Sequence, residues 1–588
     1  MKKKLLLIPF LLIMVALVHA QLPAVFSKER ASEVDSTATV RRYLSPVKIL
    51  WKTENADTNI INEKRLLLKG NGQADLSNNN MCILKSRADL HPALLLDFGK
   101  ELQGGLQIVT GMFKSGKPVT LRIRFGESAG EAMSDVEPVH NATNDHAMRD
   151  MIIKVPWLGK LEIGNTGFRF VRIDLMDDNT EFELKEARAI FNFRNIPYLG
   201  SFHCSDTLLN KIWLTGAYTV QLNMQDYLWD GIKRDRLVWI GDMHPETSTI
   251  AAVFGYNDVV PKSLDLARDI TPLPQYMNGM VSYSLWWITI QHDWYMHTGN
   301  LDYLKKQKKY LVGLLKQILT KIDANNSEAL DGGGRFLDWP TSENKAAIHA
   351  GLQAMLLMAL RAGGELCKAL NDVETAAACE QGVARLKKNV PEANGVKQAA
   401  AMLAMAGLMP AERADKEVIS VGGVKDFSTF FGYYMLQAKA MAGDYQGSLD
   451  AIRQYWGAML NLGATTFWED FNMDWLSDAA RIDELIPPGK KDIHCSYGAY
   501  CYKGFRLSLC HGWASGPTPW LTEHVLGIKV EAPGCKVIKI EPHLGDLKFA
   551  EGTFPTPYGI VKVKHTKLAN GKIKSEISAP KEVKIIRD

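Results

Sequence analysis

The period of the apolar residues changes twice along this chain, and that change limits what it can build more than any single motif does. Up to about Pro197, short apolar or alternating runs are broken by turn residues, as at 94–99 (LLLDFG), 121–126 (LRIRFG) and 168–175 (FRFVRIDL), which is the pattern of β-strands. From about Ser201 to about Gly527 helical spacing takes over. Leu352, Met355, Leu356, Ala359 and Leu360 share one face within residues 350–370, and similar stretches follow at 396–408 and 430–440. From Ile528 strands return, as at 536–540 and 558–563. About 330 residues of helix without a fixed-period repeat predict a closed double layer of helical hairpins rather than a solenoid. The expected architecture is multidomain: a helical-hairpin barrel at 198–527 between an N-terminal β-sandwich at 21–197 and a small C-terminal β domain at 528–588.

The first twenty residues have the form of a secretory signal. Lys2, Lys3 and Lys4 precede an apolar run from Leu5 to Val18, and the small-residue exit Val18-His19-Ala20 follows. Cleavage near Ala20 predicts an exported chain, periplasmic or secreted, with no membrane anchor in the mature part. The run of 14 residues is short of the ~20 that cross a bilayer. The formal charge is +4, and three of the lysines responsible lie in this leader. A nearly neutral mature chain without a block of like charge has no electrostatic reason to seek nucleic acid. The 8 cysteines are too few for a disulfide scaffold and form no CxxC pair; Cys495, Cys501 and Cys510 lie nearest together, so a bridge among them stays open.

Chemistry concentrates in the helical region. Twelve of the 14 tryptophans lie between Trp213 and Trp520. Such faces stack on sugar rings, although tryptophan is also an ordinary core residue of helix bundles. Residues 229–242 (WDGIKRDRLVWIGD) place three carboxylates and three basic groups among two tryptophans, a combination that suits a partly buried charged cluster better than a solvated face. There, burial and repulsion keep one carboxyl protonated while arginine holds others ionised; a structural ion-pair network is the competing reading. A second carboxylate locus is 463–470 (GATTFWED), and a third candidate stretch, 509–516 (LCHGWASG), sets His511 among small residues and Trp513. A lone histidine is also an ordinary hydrogen-bonded structural residue. Glycoside hydrolysis with inversion needs two such carboxyl groups on opposite sides of a sugar. There is no Walker loop, no GxGxxG after a strand, no HExxH and no nucleophile elbow, so nucleotide, zinc-protease and serine-hydrolase readings fall away.

These stretches resemble glycoside hydrolase family 78, the α-L-rhamnosidases. The family carries a motif close to Asp-Cys-Pro-Gln-Arg-Asp-Glu-Arg-Leu-Gly-Trp-Thr-Gly-Asp, and this chain has Asp230-Gly-Ile-Lys-Arg-Asp-Arg-Leu-Val-Trp-Ile-Gly-Asp242, one residue shorter. Counting back from Asp242, the resemblance puts Asp235 at the family's general-acid Glu and Asp230 at its leading sugar-binding Asp. It puts Glu469 at the general base, His511 at a substrate-contacting His, and Asp338-Trp339 at an Asp-Trp pair. Residues 96–105 and 167–172 resemble the β-sandwich that precedes the family's catalytic domain. The implied fold is an (α/α)6 barrel flanked by β domains. The implied activity is exo-acting removal of terminal α-L-rhamnose from glycans by inversion. Asp235 and Glu469 are then catalytic, and Asp230, Arg234, Trp239, Asp242, Asp338, Trp339, Trp468 and His511 substrate-binding. The alternatives are an inverting glycosidase of the same barrel acting on another sugar, and a non-catalytic glycan-binding protein. No cofactor or metal is expected, and loop carboxylates leave room only for a weak structural calcium site. Asp is a methylene shorter than Glu, about 1.5 Å, a misplacement that costs ~10²-fold unless the backbone or the substrate shifts; the shortened loop provides that shift, or the departure marks a different linkage, a different sugar or a barrel that binds sugar without cleaving it.

Overall fold

The computed structural model describes residues 39–587 apart from 55–56, 77–79, 114, 138–140, 146–147 and 501. The expected leader and Cys501 lie outside the described residues.

The N-terminal part is a nine-stranded antiparallel sheet built on two long strands, Ala93–Thr110 and Gly159–Leu175. Their register slips at Asp97/Leu102 and again at Gly104/Leu106. Such irregularities bend a sheet. Before the slips the first strand also pairs with Lys48–Lys52, and after them with Glu181–Phe193. Leu94, Leu96 and Phe98 from one half and Leu102, Leu106 and Ile108 from the other enter a single core, as the expected sandwich requires. Leu95 faces the other way and packs with Phe170 against the short helix Ala129–Met133, as the two-residue period of a strand dictates.

The helical part is a closed double ring. The inner helices Ile240–Val253, Val281–Thr298, Lys345–Ala369, Lys397–Ala406 and Gly432–Met441, with residues 517–525, touch in that order, and the last returns to the first. They are buried nearly all round, which is why their sequences lack a clear polar face. Among the described residues, Lys345–Ala369 is the one helix long and apolar enough to cross a membrane, and it is an inner wall of the barrel. The outer helices are amphipathic. In Leu301–Leu319, Leu304, Leu311, Leu314, Leu315 and Ile318 face inward while Lys305, Lys306 and Lys309 stay in water. Asp206, Asn300, Asn344, Asp372 and Asp444 each cap a helix start with a side-chain oxygen. Across the barrel axis His244 stacks on Trp286, and Trp286 on Tyr434, with ring centroids 4.6 and 4.9 Å apart.

Two small sheets follow, one of four strands and one of three. The four-stranded sheet contains Ser201–Cys204, paired with Phe549–Thr556, so the segment that opens the helical region belongs by pairing to the C-terminal domain. The described cysteines, Cys495 and Cys510 included, are free thiols.

The sandwich docks on the barrel through buried charge. Arg169 holds Asp97 with two hydrogen bonds of 2.8 and 3.0 Å and donates to the Gly463 carbonyl at 3.0 Å, at the start of the loop that carries Glu469. The Glu101 amide donates to the Thr465 hydroxyl of the same loop at 2.9 Å. Removing one partner of a buried ion pair strands the other. Arg169→Met is therefore expected to destabilise the protein by roughly 3–5 kcal/mol in urea unfolding, and adding Asp97→Asn is expected to recover part of that loss. A double variant less stable than the single one would contradict this account.

Candidate active site

The loop at 230–239 enters from the outer helix Thr207–Asn223 and leads into the inner helix Ile240–Val253. Asp230 closes it at both levels: its amide donates to the Leu237 carbonyl at 3.0 Å, and its carboxylate accepts from the Leu237 amide at 2.9 Å. Within this closed turn Asp235 and Arg236 have φ of 52° and 55°, in the left-handed region. That conformation costs a non-glycine residue roughly 1–2 kcal/mol and persists only where the surroundings enforce it. Its effect is to present Asp235, partly buried, to the pocket.

Glu469 is held from the far side of the barrel. Its amide donates to the Ser508 carbonyl at 2.9 Å and its carboxylate accepts from the Ser508 amide at 3.0 Å. The His511 amide donates to the Phe467 carbonyl, also at 2.9 Å, so residues 467–469 and 508–511 are laced together. Arg234 lies between the two carboxylates: one Nη donates to Glu469 Oε1, and the other stands 3.6 Å from Asp235 Oδ1. Its guanidinium also lies over the Tyr502 ring, 5.7 Å from the centroid.

His511 links the remaining acids. Its Nε2 donates to Asp242 Oδ1 at 2.9 Å and lies 4.0 Å from Glu469 Oε1. Burial alone would push its pKa down, but Glu469 and Asp242 override burial and raise it to about 9. Burial raises Asp230 well above the usual carboxylate range and raises Asp242 as well, with the His511 contact holding Asp242 back. One turn further along the same helix, Glu246 is also raised well above its usual value by burial and by Asp242. Gly512 makes room for it, because a Cβ there would fall 1.7 Å from Glu246 Oε1.

Asp230, Arg234, Asp235, Trp239, Asp242, Trp339, Glu469 and His511 thus share one open pocket. Trp239 packs edge-on to Tyr283, and Trp339 packs against Phe336 and Tyr502. Asp338 and Trp468, expected as substrate contacts, do not reach the pocket. Asp338 is 2% exposed; it caps its own turn and accepts from Ser428 at 2.6 Å and Gln398 at 3.2 Å, so it orients Trp339 from behind. Trp468 is 1% exposed and packs edge-on to Phe471, because the alternation that turns Glu469 inward turns its neighbour into the core. Met280, Tyr283, Phe336, Tyr502 and Trp513 line the pocket and were not expected to. Trp513 adjoins His511 in a stretch already singled out; the others sit in segments with no distinguishing local pattern.

A closed ring of helical hairpins with an acidic, aromatic-walled pocket, a sandwich before it and strands after it defines a six-hairpin glycosidase type of fold. The comparisons agree along the length of the chain. Residues 197–525 match the bacterial alpha-L-rhamnosidase 6 hairpin glycosidase domain, residues 73–192 the glycosyl hydrolase family 78 alpha-rhamnosidase N-terminal domain, and residues 527–586 the bacterial alpha-L-rhamnosidase C-terminal domain. The chain belongs to the bacterial α-L-rhamnosidases of glycoside hydrolase family 78. An α-L-rhamnosidase of Alteromonas sp. (strain LOR) is 24% identical over 524 residues, covering 81% of this chain and 54% of that protein. The family 78 rhamnosidase of Bacillus sp. GL1 superposes with a TM-score of 0.70 at 22% identity, covering 89% of this chain and 55% of that one. The α-L-rhamnosidase of Streptomyces avermitilis, solved with L-rhamnose, gives 0.66 at 16% identity, covering 94% and 50%. At these identities the likeness establishes the fold. The chain spans about half the length of the curated relatives it matches.

The raised pKa of His511 has a measurable consequence. The native state holds this proton more tightly than the unfolded chain, so the stabilisation is complete below about pH 6.5 and is lost as pH rises through about 9. An NMR titration of the His511 ring is expected to show a midpoint near 9; a midpoint at or below 6.5 would remove the proposed charge from the pocket.

Proposed function

We propose that this protein is an exported, exo-acting glycoside hydrolase that removes terminal α-L-rhamnose from glycans with inversion of the anomeric centre. The observation that carries the reading is the meeting of Asp235 and Glu469 at opposite ends of the Arg234 guanidinium in one pocket. Two carboxyl groups that flank one guanidinium stand ready as an acid and a base about a sugar, and their separation, ~6.5–9.5 Å for inversion against ~5 Å for retention, decides the stereochemistry. Glu469, aimed by the Ser508 amide and Arg234, takes a proton from water as that water attacks the anomeric carbon. Asp235 gives a proton to the departing glycosidic oxygen. Asp230, Asp242 and protonated His511 offer donors and acceptors to sugar hydroxyls, and Trp239 and Trp339 supply apolar walls for the ring faces. The relatives solved with L-rhamnose support that sugar.

Two carboxyl groups and water suffice for this chemistry, so no cofactor enters the proposal. Export rests on the signal-like pattern at 1–20, and the chain recovered from an expressing bacterium's periplasm or medium is expected to begin at Gln21; a full-length chain retained in the cytoplasm would reject it.

A second assignment of the acid is favoured by one observation: Asp230 lines the same pocket, and burial raises its pKa well above the usual carboxylate range. The test separates the two. Incubated with an aryl α-L-rhamnoside and with aryl glycosides of other sugars, the wild type is expected to release β-L-rhamnose first, seen by proton NMR; release of the α anomer first would overturn Glu469 as a base. Asp235→Asn and Glu469→Gln are each expected to lower kcat by about 10²–10⁴-fold. If Asp230→Asn loses turnover on poor leaving groups and Asp235→Asn does not, the acid is Asp230. Cleavage of another glycoside alone would change the sugar, and sugar binding without turnover would leave a glycan-binding protein.

A further inference from the structure

Lys233 lies three residues after Asp230 and two before Asp235, yet its side chain turns away from the pocket into the seam between sandwich and barrel. There its ammonium stands 3.0 Å from Glu127 Oε2 and 3.4 Å from Glu131 Oε1, and donates to the carbonyls of Phe505 and Leu507 at 2.8 Å each. Glu127, Glu131 and His494 bring their ligand atoms within 4.8 Å of one another, the kind of group that elsewhere holds a divalent cation. The ammonium occupies that place. Burial and then Lys233 push the His494 pKa down to about 3, so the ring is neutral; its Nδ1 accepts from the Ser128 hydroxyl at 2.8 Å and its Nε2 donates to the Leu507 carbonyl at 2.8 Å. Glu127 also accepts from the Leu509 amide at 2.8 Å. Beside this cluster the Gly167 amide donates to the Ile232 carbonyl at 2.9 Å, and the Ile232 side chain is part of the sandwich core.

One cation therefore ties together the sandwich at 127–131, the stretch at 505–509 that is laced to Glu469, and the loop that carries Asp235. We propose that Lys233 is a positioning residue, a protein-borne cation in the place of a structural metal, which sets the reach of Asp235 and its register with Glu469 by locking the acid loop to the N-terminal β domain. The competing account is that Lys233 only neutralises two buried carboxylates. The proposal deepens the glycosidase reading and rests on it for the kinetic half of the test.

Two measurements on Lys233→Met in the full chain decide it. By hydrogen exchange, amides at 230–240 are expected to lose protection while those of the inner helices keep it; unchanged protection in the loop would overturn the proposal, whatever the substrate proves to be. By kinetics, kcat is expected to fall about 10²-fold for a rhamnoside with a poor, alkyl leaving group and less than about 5-fold for the 2,4-dinitrophenyl rhamnoside, which needs no acid, with KM within about 3-fold. Equal losses on both substrates would overturn it. Should Lys233→Met fail to fold, the Lys233→Met/Glu127→Gln/Glu131→Gln variant removes the stranded charges with the cation, and the same split is expected of it. If the wild type turns over none of the aryl glycosides, the glycosidase reading falls and the exchange result alone settles Lys233.

Discussion

The docking of the N-terminal sandwich on the mouth of the barrel is the constraint on which the site depends. The barrel fixes the inner helices, but Asp235 and Glu469 are borne on the connections between them, and connections are mobile unless something holds them. The sandwich does so with buried charge. Arg169 reaches the base of the Glu469 loop, Lys233 reaches from the Asp235 loop into the sandwich, and Glu127 takes the Leu509 amide of the strip beside both. Each contact puts an ion out of water, which is tolerable because each ion meets several partners. The arrangement contributes position more than stability: replacing a whole cluster of such ions, partners included, by well-packed apolar groups costs little energy, whereas removing one ion strands the others.

Inside the pocket the same principle is used with a different outcome. Four carboxyl groups share a small volume, and the charge is limited by burial at Asp230 and Asp242 and balanced by Arg234 and protonated His511. The result is dense in donors and acceptors without a strong net field. Such a surface suits the neutral hydroxyls of the proposed substrate, and the half-buried faces of Trp239 and Trp339 offer the apolar contact that a sugar ring calls for.

Much of this was legible from residue order because the signals are local. The change of period at Ser201 marks the barrel, and the spacing from Asp230 to Asp242 places the loop and the first turn of its helix. What stayed hidden depends on contacts far apart in sequence. Ser201–Cys204 reads as a lead-in to a helix, yet its partner lies some 350 residues away. Asp338 and Trp468 carry the residue types of a sugar site, but which way each faces is set by its packing against Ser428, Gln398 and Phe471. Lys233 looked like one more charge in a charged run, and only its distance to Glu127 and Glu131, a hundred residues upstream, shows that it leaves the pocket altogether.

The short side chain at Asp235, the proposed acid, can be understood in these terms. A glutamate on a relaxed loop and an aspartate on a forced one are two ways to put a carboxyl at the same point. Here the chain has the shorter side chain, and the backbone beneath it is in the left-handed region at Asp235 and Arg236, a conformation that two non-glycine residues do not adopt unaided. The Asp230–Leu237 bonds close the loop from the barrel side, while Lys233 and Ile232 hold it from the sandwich side. With both ends fixed, the turn has no room to unwind. The strain is retained at the residue proposed as the acid, and an aspartate held this way has less side-chain entropy to lose than a longer residue would.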